Sequence, residues 1–320
     1  MPSQAELLHW ATKNSINEAT KSEDPTVTKE MEKLDPKWID IILGKEDSIS
    51  MKESMESAVD ESLPIDVRVS SLDNFEMFVE NLDNANDLKI LGLWKPLLNL
   101  LQSETVKIRM MAAWIIGTCV QNNAKAQNDL VEMNGLETLI IHLKSEKEIS
   151  VQIKLLRSIS SLITSNATCF KLFYSSKGFE LISTFLQKID SEFFLDDSTE
   201  DITTVVRNFK KKLIYMLNFL LSTEESKLNV VTALACQKEN LFEVVLNLFG
   251  RSKYDDVEFV EWGLKFISHM LNLEKNNKLD SVAESRVQLK LNSVLSEVQE
   301  KFKDDAVIVD LILKINSDRL

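Results

Sequence analysis

Apolar residues recur along most of this chain at three- and four-residue intervals, the spacing that lines one face of a helix; Ile153, Leu156, Ile159 and Ile163 show it within a single run. Three further apolar runs, Leu93 to Leu101, Leu136 to Leu143 and Phe179 to Leu186, each follow a glycine. Those glycines, Gly92, Gly135 and Gly178, stand 43 residues apart. The same offset relates Ile65 to Ile108 to Val151, Leu72 to Ile115 to Ser158, and Leu130 to Phe173, so other helices recur with it. One unit therefore holds about three helices. Such a unit cannot bury its apolar face alone, and stacking of successive units supplies the core.

A period of roughly 40–47 residues with two or three helices per unit is the armadillo and HEAT range. Residues 135–143 resemble the second helix of an armadillo repeat, and residues 112–117, which open with Ala112-Ala113-Trp114, resemble the inner third helix, where two alanines let neighbouring helices approach. The third helix of the next unit is expected over Val151 to Thr164. An acidic, loop-like insertion near 191–201 then interrupts the beat, which resumes with a third helix over Lys210 to Leu221. A first, a second and a third helix follow over Leu228 to Cys236, Leu241 to Phe249 and Val257 to Leu271. The expectation is an all-α, armadillo-like right-handed α-solenoid. Residues 46–283 form its repeats, and residues 284–320 form capping helices over Ser285 to Phe302 and Ala306 to Ile315.

Upstream the character changes. Residues 1–60 carry 7 Lys, no Arg and 13 Asp and Glu, with polar stretches that offer little to a core. Three apolar islands stand out within them: Leu7-Leu8 with Trp10, Trp38 to Leu43, and Met51 to Met55. Residues 1–45 read as a flexible N-terminal arm. The first docked helix is expected over residues 48–60, capped by Ser48 or Ser50.

Composition sharpens the helical reading. The chain has only 7 Gly and 5 Pro, and no Pro follows Pro96. With 37 basic against 50 acidic residues, a net charge of −13 argues against nucleic-acid phosphates and against membrane surfaces. No apolar stretch approaches the roughly 18 residues of a membrane span, and Met1 to Asn14 has no basic start ahead of a long apolar run. Cys119, Cys169 and Cys236 are odd in number and far apart, which suits reduced core thiols of a cytoplasmic protein, or one shared with the nucleus.

Catalytic chemistry is not apparent. His9, His142 and His269 lie in three different regions, and no glycine-rich phosphate loop, nucleophile elbow or metal-ligand spacing occurs. The expectation is a binding module without cofactor or metal. Armadillo proteins that hold basic peptides repeat a Trp-x-x-x-Asn ladder on their inner helices. Here Trp114 is followed at that spacing by Thr118, Arg157 by Ser161, and Trp262 by Phe266. The ladder is missing, and Trp114 either lines the concave face or packs between repeats. Net negative charge alone sustains an alternative, an import-type adaptor or scaffold for a basic peptide.

Several stretches together resemble one family. They are Leu7-Leu8-His9-Trp10, Asp35-Pro36-Lys37, Met51-Lys52-Glu53-Ser54-Met55, Leu72-Asp73-Asn74-Phe75-Glu76-Met77, Glu80 to Asn86, Leu93-Trp94-Lys95-Pro96-Leu97, and Ile115 to Thr118 with Gln121-Asn122-Asn123 and Gln127. The resemblance, dense over residues 1–140, is to the Fes-type nucleotide exchange factors, armadillo cochaperones of heat-shock protein 70. Two departures are the acidic insertion and Lys212, at a position the family often fills with Arg.

The resemblance implies a monomer whose concave face grasps the ATPase domain of heat-shock protein 70 and promotes ADP release. It implies a partner site at Asn84, Ala85 and Asn86, at Gln121, Asn122 and Asn123, and at Lys212. Each residue has a plainer role open to it. Asn84 to Asn86 can cap the next helix, Gln121 to Asn123 can cap helix carbonyls, and Lys212 can be solvated within a run of three lysines. Ala85 is expected at the surface, where a small side chain admits a partner. The arm is implied to be a substrate-like release segment, with Leu7, Leu8 and Trp10 reaching the chaperone's peptide-binding domain or docking on the array.

Overall fold

The structure is a computed structural model that describes residues 46–164, 166–192, 200–223, 228–251, 256–276 and 285–319. Residues 1–45 and 193–199 lie outside this set, and with them the arm, Leu7, Leu8, Trp10 and the middle of the acidic insertion. Among the described residues every regular element is helical.

Helix α1 (Asp47–Val59) starts one residue earlier than expected. Ile49 and Ser50 donate their backbone N–H to the Glu46 carbonyl, so Ser48 and Ser50 stand inside the first turn rather than at the cap. The chain continues as α2 (Ile65–Val79), α3 (Leu82–Asp87), α4 (Trp94–Asn99, extended by a 3-10 turn at Leu100–Gln102), and α5 (Val106–Val120). Next come α6 (Ala124–Glu132), α7 (Gly135–Ser145), α8 (Ile149–Ile163), α9 (Ala167–Ser175), α10 (Gly178–Glu192) and α11 (Glu200–Ser222). The last are α12 (Leu228–Lys238), α13 (Leu241–Arg251), α14 (Val257–Lys275), α15 (Ser285–Lys301) and α16 (Ala306–Asp318).

The third helices of successive units, α2, α5, α8, α11 and α14, pack each on the next, and α16 continues the row. The last helix therefore takes a third-helix position. The tightest junction in the row is α5 on α8. Ala112, Ala113 and Gly117 keep the α5 surface low, and a Cβ at Gly117 would come within 3.1 Å of Ser158 Oγ. Ser158, which the 43-residue offset aligns with apolar Leu72 and Ile115, is fully buried. Its hydroxyl donates to the Ala113 carbonyl across the junction, which makes burial of a polar group tolerable.

The three evenly spaced glycines do two different jobs. Gly135 and Gly178 each open a helix directly against the preceding one, where a Cβ would meet Leu130 and Phe173 respectively at 2.3 Å. Leu130 and Phe173 are themselves one period apart. Gly92 instead supplies a left-handed turn, φ +73°, with open space around it. The matching turns before α7, α10 and α13 are made by Asn134, Lys177 and Asn240, also at positive φ.

Helix α11 begins about ten residues before the expected start at Lys210. Val206 and Phe209 are buried and carry the apolar stripe toward its N-terminus, and residues 191–192 and 200–201 of the insertion belong to helices.

All three cysteines are free and buried. Burial pushes their thiols up, that of Cys169 to about 11, so they are uncharged near neutral pH.

His269 on α14 lies beside Asn218 of α11, with 3.1 Å between Nδ1 and Asn218 Oδ1. Burial pushes its pKa down, assisted by the charges of Lys314 and Lys265. The folded protein therefore holds this imidazole neutral, whereas the unfolded chain takes up a proton near pH 6.5, so stability falls as pH drops through that value. The urea midpoint should be lower at pH 5.5 than at pH 7.5, and this loss should shrink in His269→Gln. An equal loss in both proteins would assign the pH response to other groups.

Candidate functional site

The residues singled out from sequence sort into structural and exposed groups. Residues 84–86 form the body of helix α3 rather than a turn. The cap of that helix is Asn81, whose side chain accepts from Asp83 N at 2.9 Å. Asn84 Nδ2 donates to the Phe78 carbonyl at 3.0 Å, tying α3 to the end of α2. Ala85 is 2% exposed, in a helix packed on α2, α5 and α6, which corrects the expectation of a surface alanine. Its small side chain lets the six-residue α3 lie close to those three helices. Asn86 is half-buried, and its carbonyl accepts from Lys125 Nζ at 3.0 Å.

The second cluster divides in the same way. Asn123 is buried and caps α6 by accepting from Ala126 N at 3.2 Å. Gln121 and Asn122 are exposed, and Asn122 takes a left-handed conformation, φ +53°, that turns the chain out of α5. The lysine run on α11 splits as well: Lys211 pairs with Asp256 at 3.2 Å and Glu258 at 2.7 Å, while Lys212 is exposed.

Three of the expected residues, Gln121, Asn122 and Lys212, come together on the third-helix row. They line one open groove of about 340 Å³ with Arg157 of α8 and with Tyr215 and Phe219 of α11. Asn84, Ala85, Asn86 and Asn123 are not among its lining residues. Lys154, one turn before Arg157, places its ammonium 3.6 Å over the ring of Trp114. Burial pushes the Lys154 pKa down, and the charges of Arg157 and Lys212 push in the same direction against a weaker pull from Glu76. The row is thus locally basic on a chain of net charge −13.

Sequence reasoning passed over Arg157 and Lys154 as site residues. A signal was present: Arg157 stands one 43-residue period after Trp114, at the same register of the next third helix.

Trp114 is partly exposed and packs against the core from the row. Trp262 has the Tyr215 ring edge-on at 4.8 Å and Lys265 Nζ 4.4 Å from its centroid. In both cases a lysine of this chain occupies the aromatic face that a cationic peptide side chain would need. Together with the basic groove, this works against the basic-peptide alternative. Among the described residues no three His, Cys, Asp or Glu side chains gather as metal ligands.

Stacked three-helix units whose third helices pack in one row define an armadillo-like α-solenoid. A designed armadillo repeat protein in complex with peptide (KR)4 matches the fold with a TM-score of 0.58 at 12% identity, over 84% of this chain and 98% of that one. Residues 5–88 match the nucleotide exchange factor Fes1 family, and residues 84–197 match the SIL1/FES1/HPBP1 C-terminal domain. The Hsp70 nucleotide exchange factor FES1 of Gibberella zeae is 34% identical over 66% of this chain and 97% of its own length. That of Saccharomyces cerevisiae is 29% identical over 83% of this chain and 86% of its own. The chain belongs to the Fes1 family of nucleotide exchange factors.

Proposed function

We propose that this chain is a nucleotide exchange factor that binds the ATPase domain of heat-shock protein 70, promotes ADP release and thereby substrate release. The observation that carries the reading is the convergence of Gln121 and Asn122, at the end of α5, and Lys212, on α11, on one groove of a chain that belongs to this family. Exchange by this route makes and breaks no bond. A rigid wall that binds the open-lobed ATPase domain better than the closed, ADP-holding one shifts the population by its differential affinity. Third helices packed on one another keep that wall preorganised, so little ordering entropy is lost on docking. The protein acts as a monomer in the cytoplasm, without cofactor.

The arm adds a second activity. Leu7, Leu8 and Trp10 serve as a substrate-like segment that competes for the chaperone's peptide-binding domain, and tethering to the docked array makes even a weak segment effective.

Release of labelled ADP from a cytosolic heat-shock protein 70 tests the first statement. The native chain should accelerate it, and a folded protein that leaves the rate unchanged would overturn the reading. Deletion of residues 1–45 should preserve that acceleration yet abolish displacement of a tightly bound peptide. Equal displacement by the truncated and full chains would remove the arm from the mechanism.

A further inference from the structure

Three cations, Lys154, Arg157 and Lys212, stand near one another on the third-helix row, two of them lining the groove. Arg109 is clamped by Glu146 through two bonds of 2.7 and 3.0 Å, Lys211 sits between Asp256 and Glu258, and Lys89 sits between Asp129 and Glu132 at 3.0 and 2.6 Å. Lys154, Arg157 and Lys212 have no carboxylate at ion-pair distance among the described residues, although the chain carries 50 acidic residues. They stand close enough for Arg157 and Lys212 to disfavour the charge on Lys154. Unmatched like charges held together are a cost to the free protein that an incoming anion removes.

The geometry singles out Arg157. It is half-buried, which restrains its side chain, and its Nη2 donates to Gln121 Oε1 at 3.1 Å. That bond engages one of five guanidinium donors and fixes the plane of the fork. Tyr215 and Phe219 line the same groove, and a hydrogen bond from a guanidinium to a carboxylate is stronger than one between neutral groups.

We propose that Arg157 is a specificity-determining residue of this exchange factor, taking a carboxylate on the surface of the chaperone's ATPase domain through its free guanidinium donors, with Gln121 aiming the fork and Lys154 and Lys212 supplying the surrounding positive field. The assignment rests on the exchange-factor reading above and adds the chemistry of the contact. The occupant is a protein-borne aspartate or glutamate. An open groove with aromatic walls suits the edge of a folded surface, and its charge is opposite to that of a carboxylate.

Binding to the isolated ATPase domain of heat-shock protein 70, followed by calorimetry at two salt concentrations, tests it. Arg157→Glu should weaken binding by about a hundredfold, because it removes an attraction and adds a repulsion. Arg157→Lys should recover only part of this, since an ammonium keeps the charge but loses the bidentate fork. Raising salt from 50 to 200 mM should weaken the native chain severalfold and Arg157→Glu much less. Gln121→Ala should cost severalfold while leaving the melting temperature in place.

Among single Asp or Glu to Lys changes on the ATPase domain, at least one should restore binding to Arg157→Glu and not to the native chain. Native-like affinity in folded Arg157→Glu or in Arg157→Lys, or salt-independent binding by the native chain, would overturn the carboxylate assignment and leave exchange intact. No binding by the native chain would instead remove the exchange-factor reading itself.

Discussion

Ala85→Arg should lose both chaperone binding and much of the stability of the first repeats. Had this alanine faced solvent, a bulky cation there would block a partner and spare the fold. At 2% exposure, in a helix pressed against α2, α5 and α6, the new side chain must displace buried neighbours or bring an unpaired charge among them. Overpacking alone costs about 1–3 kcal/mol, and an unpaired charge adds to it. The short α3 has only six residues with which to resist. Circular dichroism melts should therefore show an early transition that the native chain lacks, and ADP release should slow in parallel. A native melt with slowed release would return Ala85 to the surface and make it a contact residue.

Gly178→Ala should be a damaging methyl addition despite the helix preference for alanine. An alanine inside a helix is ordinarily favoured over glycine by about 1 kcal/mol. Here its Cβ would lie 2.3 Å from Cε2 and Cζ of Phe173, far inside van der Waals contact. The ring is 1% exposed and packs edge-on against Phe179 at 5.5 Å, so it has no free direction in which to move. Helices α9 and α10 must separate, and a net loss of about 1–3 kcal/mol follows.

Pairing Gly178→Ala with Phe173→Leu, which removes the ring edge, should destabilise by less than the sum of the two single changes. Additivity in that double-mutant cycle would show that the ring is not the obstacle. Gly92→Ala meets no atom within 4 Å and should cost only the backbone strain of φ +73°, about 1 kcal/mol.

Those two glycines show how far the period carries. Their spacing is visible in the sequence and places the repeat correctly, yet Gly178 answers a ring of the preceding helix and Gly92 a backbone angle. The candidate site was legible to a similar depth. The resemblance led to Gln121 and Asn122 through a short polar motif and to Lys212 through a basic helix position, and the three do meet. The same motifs included Asn123 and Ala85, which are buried, because a short polar stretch mixes residues that face outward with those that shape the backbone beneath them.

The sequence by itself determined the helices, their period and the stacking of the array. Those follow from local spacing of apolar residues and from the lack of proline after Pro96, which a one-dimensional pattern displays in full. Only the tertiary structure decided which polar residues face outward together. Gln121, Arg157 and Lys212 belong to three consecutive units, and their convergence depends on how α5, α8 and α11 pack. That packing is set by contacts such as Ser158 against Ala113 and Gly117, between residues more than 40 positions apart. A run of three lysines reads as uniform charge along the chain. Helical rotation of about 100° per residue turned Lys211 to its carboxylates and left Lys212 at the groove.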